Sequence, residues 1–162
     1  MRVGVRLGVA SVLVGMALML APGSVFADQT YHTDHLGVSL TPAGAVAGHP
    51  QLRAGFVNDI HTQGPINSAI EDYLLNGAKP NTTYRVVLLL QAANCSGTFL
   101  FPFPNGASVV TNEEGNGHNQ LKITPEQVTA LGLHNTNFGI RWSFVAGSTA
   151  AYLSECSNVH ID

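Results

Sequence analysis

The chain has 162 residues, a formal net charge of −3 at pH 7 and a charged fraction of 10%. Downstream of Arg2 and Arg6, five basic residues stand against ten acidic ones. An acidic surface makes nucleic acid and anionic membranes poor partners. The length suits one domain with its own core and is short for two.

Residues 1–27 have the pattern of a secretory signal peptide. Two arginines precede an apolar run over 9–21 that is short for a membrane span, and Val25-Phe26-Ala27 provides a cleavage site. We therefore expect a secreted, extracellular monomer with no membrane span after cleavage. An N-terminal arm is expected over 28–34 and a single domain over 35–162.

Alternating apolar residues predict the first strands. The pattern runs over 36–41 and again over 52–56. The stretch 68–75 fits either a helix with a capping box or a strand. We favour the strand, because it would lead into the polar turn that follows.

That turn feeds the most apolar segment of the chain, 84–90, which is expected to be a central strand. Its pattern is Leu75-x-Gly77-x-x-Pro80-x-Thr82-x-Tyr84-x-Val86. The pattern resembles the corner between the fifth and sixth strands of fibronectin type III domains. The resemblance implies an all-β, immunoglobulin/fibronectin-like sandwich of roughly seven to nine strands. It also implies structural roles for Gly77, Pro80 and Tyr84, with the Tyr84 hydroxyl bonded to upstream backbone.

The two cysteines, Cys95 and Cys156, both lie downstream of the predicted cleavage site. In an oxidising compartment two such cysteines form a disulfide by default. Free thiols or a metal site are the alternatives.

An aromatic and proline-rich segment follows the first cysteine. Phe99, Phe101 and Phe103 would share one face of a strand, and Pro102 and Pro104 restrict that strand to an edge that breaks into a loop. Exposed, the three rings would form a binding surface for an extracellular protein or a carbohydrate. Buried, they would belong to the core.

Oxygen-bearing side chains surround a predicted turn at Asn116-Gly117, a pair typical of β-hairpins. Asn112, Glu113, Glu114 and Asn116 could hold Ca²⁺, although their spacing is not that of an EF-hand. The same residues build turns without an ion. No other cofactor is expected.

The last third of the chain predicts one short connector helix and two strands. Thr124, Pro125 and Gln127 have the N-terminal pattern of a helix over 125–131. Phe138 to Phe144 alternate cleanly, and a last strand is expected over 150–156, extending towards Ile161.

No motif has the spacing of a catalytic site. His32-Thr33-Asp34-His35 offers ligands for Zn²⁺ or Cu²⁺, or belongs to a solvated arm. There is no Gly-x-Ser-x-Gly elbow. We therefore predict a non-catalytic module with a binding or structural role, with a small hydrolase or metal-dependent enzyme as the alternative. A pocket gathering two or more histidines with an acid or an unpaired serine would favour the enzyme, and convergence of three or more histidines would set aside the non-catalytic interpretation.

Overall fold

The computed structural model describes residues 30–40, 48–63, 68–96, 101–131 and 136–161, so the predicted signal peptide lies outside the described residues. The described chain forms nine strands and one α-helix, α1, at Pro125–Leu131. No helix in these ranges has the length and apolarity that crossing a membrane requires. The strands β1 to β9 are, in chain order, Thr30–Leu40, Ala54–Gln63, Ala69–Asn76, Thr83–Ala92, Phe101–Val110, Gly117–Ile123, Thr136–Ala146, Thr149–Ser154 and Ser157–Ile161.

All described strand pairs are antiparallel, and they form one nearly closed sheet. The strand order is β5-β4-β7-β8-β1-β2-β3-β6, and β9 pairs with β7. Strand β1 joins two halves of the sheet, because its residues 30–37 pair with β2 and its residues 38–40 pair with β8. The outer strands β5 and β6 approach each other where the Asn119 amide donates to the Ser108 carbonyl at 2.7 Å. The prediction of an all-β domain is confirmed.

The core lies between the two halves and contains the large rings of the chain. Trp142, Tyr73, Tyr84, Tyr152 and Phe144 are all fully buried. The ring of Tyr73 on β3 meets the ring of Phe144 on β7 edge to face, with centroids 6.1 Å apart. Strand β4 has neighbours on both sides, which confirms the prediction of a central strand over 84–90.

The predicted corner is an arch between the two halves, because β3 and β4 follow each other in the chain but belong to different halves. The backbone amide of Lys79 donates to the Tyr84 hydroxyl at 3.3 Å, so the predicted bond to upstream backbone is present. Gly77 adopts a positive φ of 78°. The Thr82 hydroxyl bonds the carbonyl of Pro80 at 2.9 Å and tightens the turn.

The turn at residues 111–116 differs from the predicted hairpin. Strand β6 pairs with β3 rather than with β5, so the turn joins the two outer strands of the sheet. The positive φ belongs to Gly115, where a Cβ would overlap the carbonyl of Ala78. Backbone bonds from Ala78 to Gly115 and from Asn81 to Asn112 dock this turn on the corner. Tertiary pairing thus replaces a local hairpin.

Two other boundaries differ from the sequence-based prediction. The expected arm over 28–34 is largely strand, because β1 begins at Thr30 and its first residues pair with β2. The expected last strand is divided into β8 and β9, which both pair with β7. The Glu155 amide bonds the Gly37 carbonyl at 2.8 Å between them, so the chain leaves the β7 ladder there to contact β1.

Helix α1 confirms the predicted boundaries and cap. The Thr124 amide donates to Oε1 of Gln127 at 2.8 Å, and the Gln127 amide donates to Oγ1 of Thr124 at 3.4 Å. This reciprocal pair is a capping box. Val128 of the helix is buried and borders a small pocket together with Val159 of β9.

Candidate functional site

Three acidic residues face one another on neighbouring strands. Asp34 of β1 is directly opposite Asp59 of β2, and Asp59 is directly opposite Glu71 of β3. We call Asp34, Asp59 and Glu71 the carboxylate row. Like charges in directly opposed positions destabilise a sheet. The row therefore lowers the stability of the sheet locally, and folding alone does not require it.

The carboxylate row points into the fold. Residues two apart on a strand share a face, and Asp59 follows the fully buried Val57 while Glu71 precedes the fully buried Tyr73. Asp59 and Glu71 are themselves only 4% and 3% exposed. Buried acids are rare unless they are paired or bind a metal.

A histidine completes the cluster. His61 lies two residues beyond Asp59 on β2, and its Nδ1 is 3.4 Å from Oδ2 of Asp59. One ligand atom each from Asp34, Asp59 and His61 lie within 4.8 Å of one another. Two carboxylates and an imidazole are ligands that divalent metals accept.

Hydrogen bonds hold the two outer acids of the row. The Ser157 hydroxyl of β9 donates to Oδ2 of Asp34 at 2.6 Å. The Tyr73 hydroxyl donates to the Glu71 carboxylate. In the part of the chain that the structure describes, the Asp59 carboxylate has one polar side-chain partner, Nδ1 of His61. The central acid is thus the least satisfied of the three.

A small pocket opens beside the cluster. Its volume is about 50 Å³, several times the roughly 10–15 Å³ that a cavity needs to hold one water molecule. His61 and His160 border the pocket together with Val128 of α1 and Val159 of β9. The Nδ1 of His160 pairs with Oδ1 of Asn137 at 2.9 Å. The pocket gives water a route to His61.

The disulfide predicted between Cys95 and Cys156 is present, with Cα atoms 6.1 Å apart. Cys156 immediately precedes Ser157, whose hydroxyl supports Asp34. The Asn94 amide donates to Oδ1 of Asn158 at 2.8 Å beside the bridge. The bridge therefore fixes the start of β9 on the turn after β4, close to the cluster.

Comparisons found no match for this chain among protein-family models, curated proteins or solved structures. The proposed function therefore rests on the geometry of the cluster.

The metal motif predicted at 32–35 is divided by the strand alternation. Asp34 joins the cluster, whereas His35 is exposed and pairs through Nδ1 with Oδ1 of Asn58. The backbone of His32 is directly opposite His61. Asp59 and His61, the other described members of the cluster, come from β2.

The Ca²⁺ candidate at 112–116 uses its amide oxygens within the protein. Oδ1 of Asn112 accepts from the Glu114 and Asn116 amides at 3.1 and 2.8 Å. Oδ1 of Asn116 accepts from Gly77 and Arg53. Glu113 and Glu114 are exposed. These contacts favour the turn interpretation, and calcium binding stays a prediction.

The aromatic surface is described only in part. Phe99 lies outside the described residues, while the backbones of Phe101 and Phe103 pair with Leu90 and Leu88 in β5, an outer strand of the sheet. The edge position is confirmed. The predicted break into a loop at the prolines is wrong, because β5 continues through them to Val110 with a register shift opposite Arg85 to Val87. A role in binding stays a prediction.

Sequence reasoning missed Asp59, His61 and Glu71. The second strand was predicted to end near Phe56, so its continuation over Val57, Asp59 and His61 on one face was not recognised. Acids at inward positions of an apolar alternation were the available signal. The remaining histidines do not join the cluster: His49 contacts Tyr84, His118 is exposed on β6, and His134 lies outside the described residues.

Proposed function

We propose that this chain is a secreted, non-catalytic binding domain that takes a small cationic ligand against the carboxylate row. The single observation behind the proposal is the direct opposition of Asp34, Asp59 and Glu71 on three neighbouring strands. A bound cation would offset the repulsion in the row and the cost of burying it.

The three described arginines each contact a group outside the carboxylate row. Arg53 contacts Asn116. Arg85 donates to the carbonyl of Gly147, and Arg141 donates to the carbonyl of Ser154. An external cation is therefore a better candidate than an arginine of the chain for offsetting the repulsion within the row.

The test is a thermal-shift screen on the mature, oxidised protein without a tag. The cations are Ca²⁺, Mn²⁺, Zn²⁺, choline and spermidine. We expect at least one to raise the melting temperature of the wild type, because a ligand that binds the native state stabilises it. The rise should be lost in Asp59→Asn and kept in Glu113→Gln, which removes an exposed acid of the turn. No shift with any cation, or an equal shift in Asp59→Asn, would contradict the proposal.

A metal-dependent hydrolase is the second candidate, because the pocket brings His61 and His160 together beside the Asp59 carboxylate. Its volume of about 50 Å³ leaves little room for a substrate, which favours binding over catalysis. Hydrolysis of p-nitrophenyl acetate with added Zn²⁺ tests this candidate. Activity that disappears in His61→Gln would support it, and activity at the buffer rate would exclude it for this ester.

The immunoglobulin/fibronectin-like sandwich remains a proposal for the finer class of the fold, supported by the Tyr84 corner. An extracellular protein or carbohydrate partner also remains a proposal. It is supported by the edge position of the Phe101 and Phe103 backbones.

A further inference from the structure

We infer that the cation is a transition-metal dication of the Zn²⁺ type, held by Asp34, Asp59 and His61. The inference rests on the proposed function and names its ligand. Ca²⁺ and Mg²⁺ take oxygen ligands, whereas Zn²⁺ and similar transition-metal dications accept imidazole nitrogen together with carboxylate oxygen. The imidazole in the set therefore selects against a hard cation.

The spacing of the donors fits such an ion. Zinc bonds of about 2.0–2.1 Å in a tetrahedral site place neighbouring donor atoms roughly 3.3 Å apart. Nδ1 of His61 and Oδ2 of Asp59 are 3.4 Å apart. The full set lies within 4.8 Å, so only a small inward movement of Asp34 is needed.

The burial of Asp59, the central ligand, is independent evidence for a bound ion. The Asp59 side chain is only 6% exposed, and its described polar partner is His61, itself a member of the set. A buried carboxylate aimed at another carboxylate and an imidazole lacks the donors that a purely structural acid normally has. A metal ion would give the buried Asp59 carboxylate a cationic partner.

The surroundings supply the supports that metal ligands usually have. The Ser157 hydroxyl donates to Asp34 and fixes one of its oxygens. Outer hydrogen bonds of this kind orient metal ligands and tune their affinity. Three protein ligands leave further coordination positions for water, and the pocket beside His61 can hold it.

The test is isothermal titration of Zn²⁺ and of Ca²⁺ into tag-free protein freed of metal with a chelator. We expect one Zn²⁺ per chain, with Ca²⁺ binding weaker. His61→Gln and Asp59→Asn should each weaken Zn²⁺ binding by more than about tenfold, since losing even an outer partner costs that much. His118→Gln, which removes an exposed histidine of β6, should bind as the wild type does.

A Co²⁺ spectrum identifies the ligands independently of affinity. The visible absorption bands of a four-coordinate Co²⁺ site should appear in the wild type and in His118→Gln, and should disappear in His61→Gln. Circular dichroism first establishes that each variant is folded, and Asp34→Asn replaces any variant that is not.

Two results would overturn the inference. One is Zn²⁺ binding that is unchanged in both His61→Gln and Asp59→Asn, which would assign the ion to surface histidines. The other is Ca²⁺, choline or spermidine binding that depends on Asp59 without Zn²⁺ binding, which would leave the cation-binding proposal intact and remove only the transition metal.

Discussion

At the scale of single residues, Tyr84 shows how one hydroxyl serves the arch. It accepts from the Lys79 amide at 3.3 Å and pairs with Nδ1 of His49 at 2.9 Å. The tautomer of His49 decides whether the Tyr84 hydroxyl donates its proton to Nδ1 or accepts one from it. Burial raises the pKa of the Tyr84 hydroxyl, so that proton stays in place around neutral pH.

Replacing Tyr84 by Phe should lower the free energy of unfolding by about 1 kcal/mol, the scale of one hydrogen bond. Urea denaturation measures the change. Cation binding at the carboxylate row should be unaffected, because the corner and the row share no described contact. Loss of binding at unchanged stability would show that Tyr84 has a functional role instead.

His49 should make part of the stability depend on pH. Burial, and then the charge of Lys79, lower the pKa of His49 below its ordinary value of 6.5. The folded state thus binds the proton less readily than the unfolded chain, and the stability due to neutral His49 is lost as pH falls below 6.5.

The check compares urea denaturation at neutral pH and at about pH 5. The wild type should lose more stability on acidification than His49→Gln, which cannot take up the proton. His118→Gln is the matched control and should behave as the wild type. Parallel pH profiles for wild type and His49→Gln would contradict the assignment.

At the scale of elements, strand pairing creates the candidate site. Asp34, Asp59 and Glu71 are far apart in the chain, and the registers of β1 with β2 and of β2 with β3 place them side by side. A one-residue slip would turn each acid to the opposite face. The inward register is fixed by the apolar residues that alternate with the acids, such as Val57 and Tyr73.

If repulsion within the carboxylate row is retained for function, removing the charge of its central residue should stabilise the metal-free protein. Asp59→Asn should raise the free energy of unfolding by up to about 1 kcal/mol, the scale of a cross-strand pair, at neutral pH with chelator present. Glu113→Gln should have little effect, because Glu113 is exposed. A clear loss of stability in Asp59→Asn would show instead that this carboxylate supports the fold.

At the scale of the whole molecule, two devices hold the nearly closed sheet together. The turn at 111–116 docks on the corner by backbone hydrogen bonds and links the outer strands β5 and β6. The bridge between Cys95 and Cys156 spans 61 residues of chain and ties the end of β4 to β9. Both devices act across long sequence separations.

Replacing both cysteines by Ser should lower the free energy of unfolding by about 4 kcal/mol, because the bridge restricts the unfolded chain. Urea denaturation with and without reductant measures this effect. The reductant should destabilise the wild type and leave the double variant unchanged. Cation binding by the folded double variant should also weaken, since Ser157 would lose its anchor beside Asp34. Equal stability of both proteins would contradict this account.

The sequence by itself determined what local chemistry controls. Alternation predicted most strands, Thr124 and Gln127 predicted the cap of α1, and the Leu75 to Val86 pattern predicted the bond to the Tyr84 hydroxyl. Two cysteines in an oxidising context predicted the bridge. The strands, the cap and the Tyr84 bond depend on residues that are close in the chain. The bridge was predictable because two cysteines can pair in only one way.

The tertiary structure decided which distant strands pair, and with that it decided the site. Of the described side chains at 32–35, Asp34 joins the cluster and His35 does not, because successive strand residues point to opposite faces, and the other ligands come from β2. The turn at Asn116-Gly117 joins outer strands because β6 finds its partner in β3. Register between strands far apart in the chain follows from burial of the whole core, which no local pattern encodes.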